Sequence, residues 1–181
     1  MSLKNDWKLI INFAELLILC KVSVSLMKLK NSNTKKYRKC VGMMILNAKN
    51  QILVGRRLDH PSGYWQMPQG GIDENENPEE AVWREMMEEI GTNNASLINS
   101  SQEWISYDIP TETLKTLPWG DKYIGQIQKW FLFRFKGIDN DINVGTENPE
   151  FSEWKWMDYD EISQNAVPFK RNVYIKIQKE L

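Results

Sequence analysis

Three glutamates spaced for one face of a helix are the residues best suited to chemistry in this chain. Glu85, Glu88 and Glu89 stand at positions i, i+3 and i+4, so on a helix they project from one face within a single turn. Carboxylates crowded in this way repel one another, and a helix face that needed only solvent would interleave lysines. Carboxylate oxygens are the ligands that hard divalent cations prefer, so the spacing predicts a Mg²⁺ site, with Mn²⁺ as an alternative cation. Taken alone, the three glutamates could also be an ordinary acidic helix face.

The residues around these glutamates predict a sharp turn followed by a helix. Gly70 and Gly71 end the segment WQMPQ, where the backbone must turn and can approach a ligand closely. Asn77, followed by proline and two acids, is typical of a helix start. Gly91 is typical of a helix end. The sequence therefore predicts a helix between Asn77 and Gly91 that carries the glutamates directly after the glycine turn.

A second pair of charged residues in the same stretch is predicted to be structural. Glu76 lies in the loop before the helix, and Arg84 lies on the helix itself. We interpret them as an ion pair that ties the loop to the helix, which gives Arg84 no catalytic function.

Composition limits the classes of protein to which the chain can belong. Its 181 residues, 41% hydrophobic and 26% charged, are typical of a soluble globular protein with one domain of usual size. A net charge of -1 argues against bulk electrostatic adhesion, so we expect no DNA partner and no stable membrane association. Cys20 and Cys40 form no C-x-x-C motif, and His60 is the only histidine. These residues predict reduced thiols in a cytoplasmic protein and no zinc site.

The first 33 residues differ from the rest of the chain. The apolar run from Leu9 to Leu19 has 11 residues and contains Glu15, so it is too short to span a bilayer. We interpret residues 1–33 as an extension to a catalytic domain at 34–181, with Met27 as an alternative start. An added amphipathic helix and a weak membrane anchor are the other interpretations of this segment.

Beyond the extension, the pattern of apolar residues predicts a sheet and few helices. A hairpin is predicted at Asn47–Asn50, between the first two strands. The predicted strands are 40–46, 51–55, 95–107, 126–135 and 154–157, and a C-terminal helix is predicted at 169–180. This order of elements favours an α/β fold in which a mixed sheet packs between helices.

The stretch from residue 70 to residue 92 resembles the motif of Nudix hydrolases. That motif is G-x5-E-x7-R-E-U-x-E-E-x-G-U, in which U is a bulky apolar residue. The positions in register are Gly70, Glu76, Arg84, Glu85, Met86, Glu88, Glu89 and Gly91, and Thr92 replaces the final apolar residue. The resemblance implies an α/β/α sandwich in which the Nudix helix follows the Gly-Gly loop. It also implies Mg²⁺ and the attack of water on a phosphoanhydride.

Further motifs extend the resemblance over residues 37–179. Together they resemble the bacterial RNA 5′ pyrophosphohydrolases, a subgroup that includes dinucleoside polyphosphate hydrolases and invasion-associated proteins. The motifs are YR-x-x-VG from Tyr37, RR at 56–57, WQ-x-PQGGI from Trp65, GQ-x-QKWF from Gly125, PEF-x-x-W-x-W from Pro149 and FKR-x-VY from Phe169.

The resemblance implies a function for individual residues. The implied metal ligands are Gly70, Glu85, Glu88, Glu89 and Glu150. One of Glu88, Glu89 and Glu150 would act as the general base, and the sequence does not choose among them. The residues implied to grip phosphates or nearby backbone are Arg38, Arg57 and Lys170. The residues implied to hold a base are Tyr107, Val167 and Phe169. Stacking on an aromatic ring tolerates any base, because every base has a π-face.

The expected function is that of an RNA pyrophosphohydrolase, which removes pyrophosphate from 5′-triphosphorylated RNA and leaves a 5′-monophosphate. One alternative is hydrolysis of free dinucleoside polyphosphates such as diadenosine tetraphosphate. The other is a non-catalytic Nudix-fold binding module, against which the complete carboxylate set argues. The sequence predicts no particular protein partner.

The interpretation of the extension leads to a test by truncation. A chain that begins at Met27 should fold and hydrolyse substrate like the full chain, because every residue with an implied function lies beyond residue 36. Thermal unfolding and phosphate release, measured on both chains, check this. A truncated chain that loses its activity or half the amplitude of its unfolding transition would show that the extension belongs to the core.

Overall fold

The computed structural model describes residues 36–58 and 63–181 of the chain. The interpretations of residues 1–33, of Cys20 and of His60 lie outside the described residues and stay predictions. Cys40 is buried and carries a free thiol.

The described strands join in one eight-stranded mixed sheet. Their bounds are β1 (Lys36–Leu46), β2 (Ile52–Arg57), β3 (Trp65–Gln66), β4 (Gln69–Gly71), β5 (Ala95–Ser100), β6 (Ile105–Asp108), β7 (Tyr123–Phe135) and β8 (Phe151–Met157). The two longest strands, β1 and β7, lie side by side in parallel along their length, with Gly42 opposite Trp130. Antiparallel strands flank this pair: β2 and β4 beside β1, β5 and β6 beside β7, and β3 and β8 beside β2.

Helices cover both faces of the sheet. They are α1 (Pro78–Ile90), α2 (Thr111–Leu114), α3 (Ile162–Asn165) and α4 (Arg171–Glu180), with 3-10 turns at Asp139–Asp141, Tyr159–Glu161 and Pro168–Lys170. Because side chains alternate along a strand, β1 sends Met43 and Ile45 into the core beneath α1 and Met44 into the core beneath α3 and α4. The predicted α/β sandwich with a mixed sheet is confirmed.

Most of the predicted elements are present, with shifted ends. The hairpin at Asn47–Asn50 joins β1 to β2, and Asn50 closes it with a positive φ of 62°. The prediction of a single strand over 95–107 is wrong, because β5 and β6 are separate strands that pair with different parts of β7. Ser101 causes the break. Its N–H donates to the Trp130 carbonyl, while its hydroxyl accepts from the Trp130 N–H and donates to the Glu103 carbonyl.

The α-helix predicted at the C-terminus begins two residues late. Residues Pro168–Lys170 form a 3-10 turn, and the α-helix starts at Arg171. Among the described residues, none of the helices has the length and apolar character that a membrane-spanning helix needs.

A close contact between β2 and β8 fixes the loop that carries Glu150. A Cβ on Gly55 would lie 2.3 Å from the Phe151 ring, which is fully packed in the sheet interior. The carbonyl of Glu150 accepts a hydrogen bond from the Leu58 N–H at 2.9 Å. The position of Glu150 therefore depends on the packing of the Phe151 ring against Gly55.

Substitution of this glycine should destabilise the fold. We expect Gly55→Ala to lower stability by about 1–3 kcal/mol through overpacking, seen as a Tm at least ~2 °C lower in thermal unfolding. Gly145→Ala is the matched control, because its Cβ would meet only Asn143 Oδ1, at 3.3 Å. Equal Tm values for the two variants would contradict the close contact, and Phe151→Leu should restore part of the loss in Gly55→Ala.

Candidate active site

The helix that carries the glutamates is fixed at both ends by its own sequence. Asn77 Oδ1 accepts hydrogen bonds from the N–H groups of Glu79 and Glu80 at 2.9 and 3.0 Å, and Glu80 Oε2 accepts from the Asn77 N–H. Pro78 occupies the first helical position, and Gly91 ends the helix with a positive φ of 71°. These caps satisfy backbone groups that a helix end leaves unpaired. The helix face that carries the glutamates therefore has a fixed orientation.

Arg84 joins the helix to the loop before it. Its guanidinium donates to both carboxylate oxygens of Glu76, at 2.9 and 2.8 Å, and to the carbonyl of Gly71 at 2.9 Å. Bidentate bonds of this kind are strong and directional, and they hold the pKa of the Glu76 carboxyl below its usual range. The ion pair that the sequence predicted is thus present, and it also reaches the glycine turn.

The three glutamates of α1 lie in different environments. Glu85 is buried and accepts a hydrogen bond from Arg84 Nη1 at 2.9 Å. Glu88 is exposed and accepts from the same nitrogen at 3.1 Å. Glu89 is 2% exposed; its Oε2 accepts from the Gln69 N–H at 2.8 Å, and its Oε1 has no hydrogen-bond partner among the described residues. One buried carboxylate oxygen is therefore left for a further ligand.

Burial and crowding disfavour the charged form of two of these carboxylates. The pKa of Glu89 is raised well above its usual value, first by burial and then by the charges of Glu150 and Glu85. Burial also raises the pKa of Glu85, against the opposing effect of Arg84. A cation placed among these groups would relieve both the repulsion and the loss of solvation.

The glycine turn lets the backbone pass directly over these acids. A Cβ on Gly70 would lie 1.8 Å from the Glu85 carboxyl carbon, and a Cβ on Gly71 would lie 2.2 Å from Arg38 Nη2. A side chain at either position would force the Glu85 carboxylate or the Arg38 guanidinium to move from its place. The turn therefore lies between an acidic and a basic side chain.

A cavity of about 500 Å³ opens at this turn, within the range of ligand pockets. It brings together nearly all of the residues that the sequence singled out. Those that line it are Arg38, Arg57, Gly70, Gly71, Glu85, Glu88, Tyr107, Glu150, Val167, Phe169 and Lys170. Glu89 is not part of the lining, but its carboxylate bonds to the backbone of Gln69, which is.

The carboxylates do not form a ready cage. In the part of the chain that the structure describes, no group of three or more His, Cys, Asp or Glu side chains is placed to hold a metal ion. Arg84 Nη1 instead bonds to both Glu85 and Glu88.

A network of buried glutamines behind the cavity has no counterpart in the sequence analysis. Lys170 is 4% exposed, and its Nζ donates to the Oε1 atoms of Gln66 and Gln69 at 2.7 and 2.8 Å. Gln128 Nε2 donates to Gln69 Oε1 and Gln126 Oε1 at 2.9 and 3.2 Å. Burial, followed by the charge of Arg57, lowers the pKa of Lys170 to about 7. The glutamines and Lys170 stand in three of the motifs quoted above, but no motif indicates that they bond to one another.

An aromatic pair forms one wall of the cavity. The rings of Tyr107 and Phe169 stack with centroids 6.1 Å apart and planes at 18°. Lys170 Nζ lies 5.8 Å from the centre of the Tyr107 ring, and the Tyr107 hydroxyl donates to Gln126 Oε1. The aromatic wall and the glutamine network are thus one connected structure.

A second wall of the cavity was also missed by the sequence analysis. It comes from the segment between β6 and β7, which includes α2. Its members are Thr113, Thr116, Leu117, Pro118 and Trp119. No motif marks these residues, and they join the site only because the chain folds back between β6 and β7, which pair with each other.

Known proteins similar to this chain belong to one domain family. The NUDIX domain matches residues 36–177. The chain is 54% identical to an RNA pyrophosphohydrolase of Rhodospirillum rubrum, over 80% of this chain and 87% of that protein. It is 49% identical to an RNA pyrophosphohydrolase of Rickettsia typhi, over 84% of this chain and 96% of that protein.

Solved structures show the same fold at lower sequence identity. The dihydroneopterin triphosphate pyrophosphohydrolase of E. coli matches with a TM-score of 0.61 and 18% identity, over 81% of this chain and all of that one (100%). An Ap4A hydrolase of C. elegans matches with a TM-score of 0.58 and 19% identity, over 78% of this chain and 96% of that one. As the glycine turn and the glutamate helix predicted, this chain belongs to the NUDIX domain family.

Proposed function

We propose that this chain is an RNA pyrophosphohydrolase, which hydrolyses the 5′ triphosphate of RNA to a 5′ monophosphate and pyrophosphate or stepwise phosphate. The observation that carries the proposal is that carboxylates, basic side chains and an aromatic wall line one cavity. Relatives named RNA pyrophosphohydrolase, which align over most of both chains, support the choice of substrate. The free thiol of Cys40 agrees with a reducing compartment, and we place the activity in the cytoplasm.

The oxygen ligands present fit Mg²⁺ as the cofactor. The residues that would hold it are Gly70, through its carbonyl, and Glu85, Glu88, Glu89 and Glu150. Support comes from the unpartnered Glu89 Oε1 and from the close approach of the Gly70 backbone to Glu85. When bound, such an ion neutralises charge on the phosphates and lowers the pKa of a water molecule.

The protein's own residues would position the phosphates and accept the proton. Arg38, Arg57 and Lys170 line the cavity and would pair with phosphate oxygens. An anion beside Lys170 would favour its charged form, against the burial that lowers its pKa to about 7. One of Glu88, Glu89 and Glu150 would take the proton from the attacking water.

Two further functions compete with this proposal. One is hydrolysis of dinucleoside polyphosphates, which uses the same chemistry. An Ap4A hydrolase of C. elegans shares the fold. A binding module without activity would have no need of four carboxylates around one cavity, and a Mg²⁺-dependent phosphate-release assay excludes or establishes it directly.

Glu89→Gln should separate stability from activity. The variant should lower kcat by at least ~10²-fold, since it removes a metal ligand or the base. Because the folded-state pKa of Glu89 is raised, its ionisation costs stability as pH rises above the unfolded value. In EDTA at pH 7.5 the variant should therefore melt at least ~2 °C above wild type, and the difference should shrink toward pH 4.5.

Glu88→Gln is the matched control for that measurement, because Glu88 is exposed and its loss should leave Tm in EDTA nearly unchanged. Near-normal turnover of Glu89→Gln at saturating Mg²⁺ would refute its place in the reaction. Equal pH profiles of Tm would refute the cost of its burial.

Substrate choice can be measured in one competition. Wild-type protein given 5′-triphosphorylated RNA and diadenosine tetraphosphate together should show the higher kcat/KM on RNA. Phe169→Ala should lower kcat/KM on the RNA by at least ~5-fold, the low end of what a base stacked on an aromatic ring contributes. Lys170→Ala should cause a loss that shrinks as salt rises, because a phosphate contact releases counterions. A tenfold or greater preference for the dinucleotide would replace the RNA assignment with the alternative.

A further inference from the structure

The segment between β6 and β7 presents a second aromatic surface to the cavity. Trp119 is half-buried and lines the cavity together with Leu117. Its ring lies edge-to-face with Tyr123, with centroids 6.0 Å apart at 71°. The Arg38 guanidinium lies 5.2 Å from the centre of the indole ring. The indole is therefore held by two neighbours while it still borders the open space.

The backbone beneath Trp119 is tightly folded. The N–H of Gly120 donates to the Leu117 carbonyl at 3.0 Å, and the N–H of Lys122 donates to the Trp119 carbonyl at 3.1 Å. A Cβ on Gly120 would lie 1.7 Å from the Leu114 carbonyl oxygen. A backbone fixed by these contacts holds an aromatic surface in place before a ligand arrives, which reduces the entropy lost on binding.

Arg38 connects this surface to the reacting end of the cavity. The same guanidinium that covers Trp119 stands 2.2 Å from where a Gly71 Cβ would be, and Gly70 next to it lies against Glu85. A phosphate chain held at Glu85 and Arg38 would therefore place the nucleoside attached to it beside Trp119. The Tyr107–Phe169 wall has a different cation, because Lys170 Nζ lies 5.8 Å from the centre of the Tyr107 ring.

We propose that Trp119 forms a second base-binding subsite, which takes the base of the 5′-terminal nucleotide while the Tyr107–Phe169 wall takes the next one. This inference rests on the proposed function. Each wall combines an aromatic ring with a cation, and stacking on such a ring suits any base because every base has a π-face. The subsite would give the enzyme a grip on two successive nucleotides.

The test uses a short RNA whose 5′ triphosphate is made resistant to hydrolysis by methylene bridges. The fluorescent base 2-aminopurine, which is quenched on stacking, replaces the first base in one RNA and the second base in another. With Mg²⁺ present, wild-type protein should quench both probes. Trp119→Leu should lose most of the quenching at the first base, keep it at the second, and bind the RNA at least ~5-fold more weakly. Trp119→Phe should restore quenching at the first base.

Two controls separate base stacking from a structural function of the indole. Inorganic tripolyphosphate has no base, so its affinity, measured by competition, should be the same for wild type and Trp119→Leu. If Trp119→Leu weakens tripolyphosphate as much as RNA, the indole acts by positioning Arg38 and the subsite is refuted. Trp154→Leu, which removes a half-buried tryptophan outside the cavity, should change neither probe. Thermal unfolding checks that each variant is folded.

Failure of this inference can be told apart from failure of the proposed function. A wild-type protein that neither binds nor hydrolyses triphosphorylated RNA overturns both. A wild-type protein that hydrolyses the RNA, but whose quenching at the first base is unchanged in Trp119→Leu, overturns the subsite alone.

Discussion

The site depends above all on the bonds that Arg84 makes. One guanidinium on α1 bonds to Glu76 in the preceding loop, to the carbonyl of the glycine turn, and to Glu85 and Glu88 on its own helix. Without it, the loop would lose its ion pair with the helix, and Glu85 and Glu88 would lose the cation that they share. Because the guanidinium is always charged and its fork is rigid, it fixes the distance between the turn and the helix. The positions of Glu85 and Glu88 relative to the glycine turn depend on that distance.

The cavity separates charges of opposite sign in a way that suits its substrate. Carboxylates gather on the side of α1, and Arg38, Arg57 and Lys170 lie around the same space. On each side burial works against the charged state: it raises the pKa of Glu89 and lowers that of Lys170. A cation on the first side and a polyphosphate on the second would each stabilise the charged form they meet. The protein holds these groups ready in a partly dry site, where electrostatic interactions are stronger than in water.

Local signals in the sequence were enough to predict the part of the site that comes from one continuous segment, the glycine turn and α1. Asn77 and Gly91 cap α1 through hydrogen bonds to residues within four positions, so the helix and its glutamate face could be predicted from residue types alone. The break at Ser101 could not be predicted, because it depends on bonds to Trp130, 29 positions away. The same holds for Gln69 and Gln128, 59 positions apart, and for the wall that includes Trp119. Partners brought together by the sheet leave no periodic pattern in the chain.

The buried glutamines explain how a lysine can be held at the base of the cavity. A lone buried ammonium group would lose its solvation, and burial lowers the pKa of Lys170 to about 7. The side-chain oxygens of two glutamines, Gln66 and Gln69, accept hydrogen bonds from its ammonium group. Gln128, on β7, donates a hydrogen bond to Gln69 and so holds that glutamine in place. Amides can do this without carrying a charge, whereas carboxylates in the same places would neutralise the lysine and repel phosphate. The network therefore stabilises the charged form of Lys170 against its burial, and a charged lysine that lines the cavity can pair with an anion.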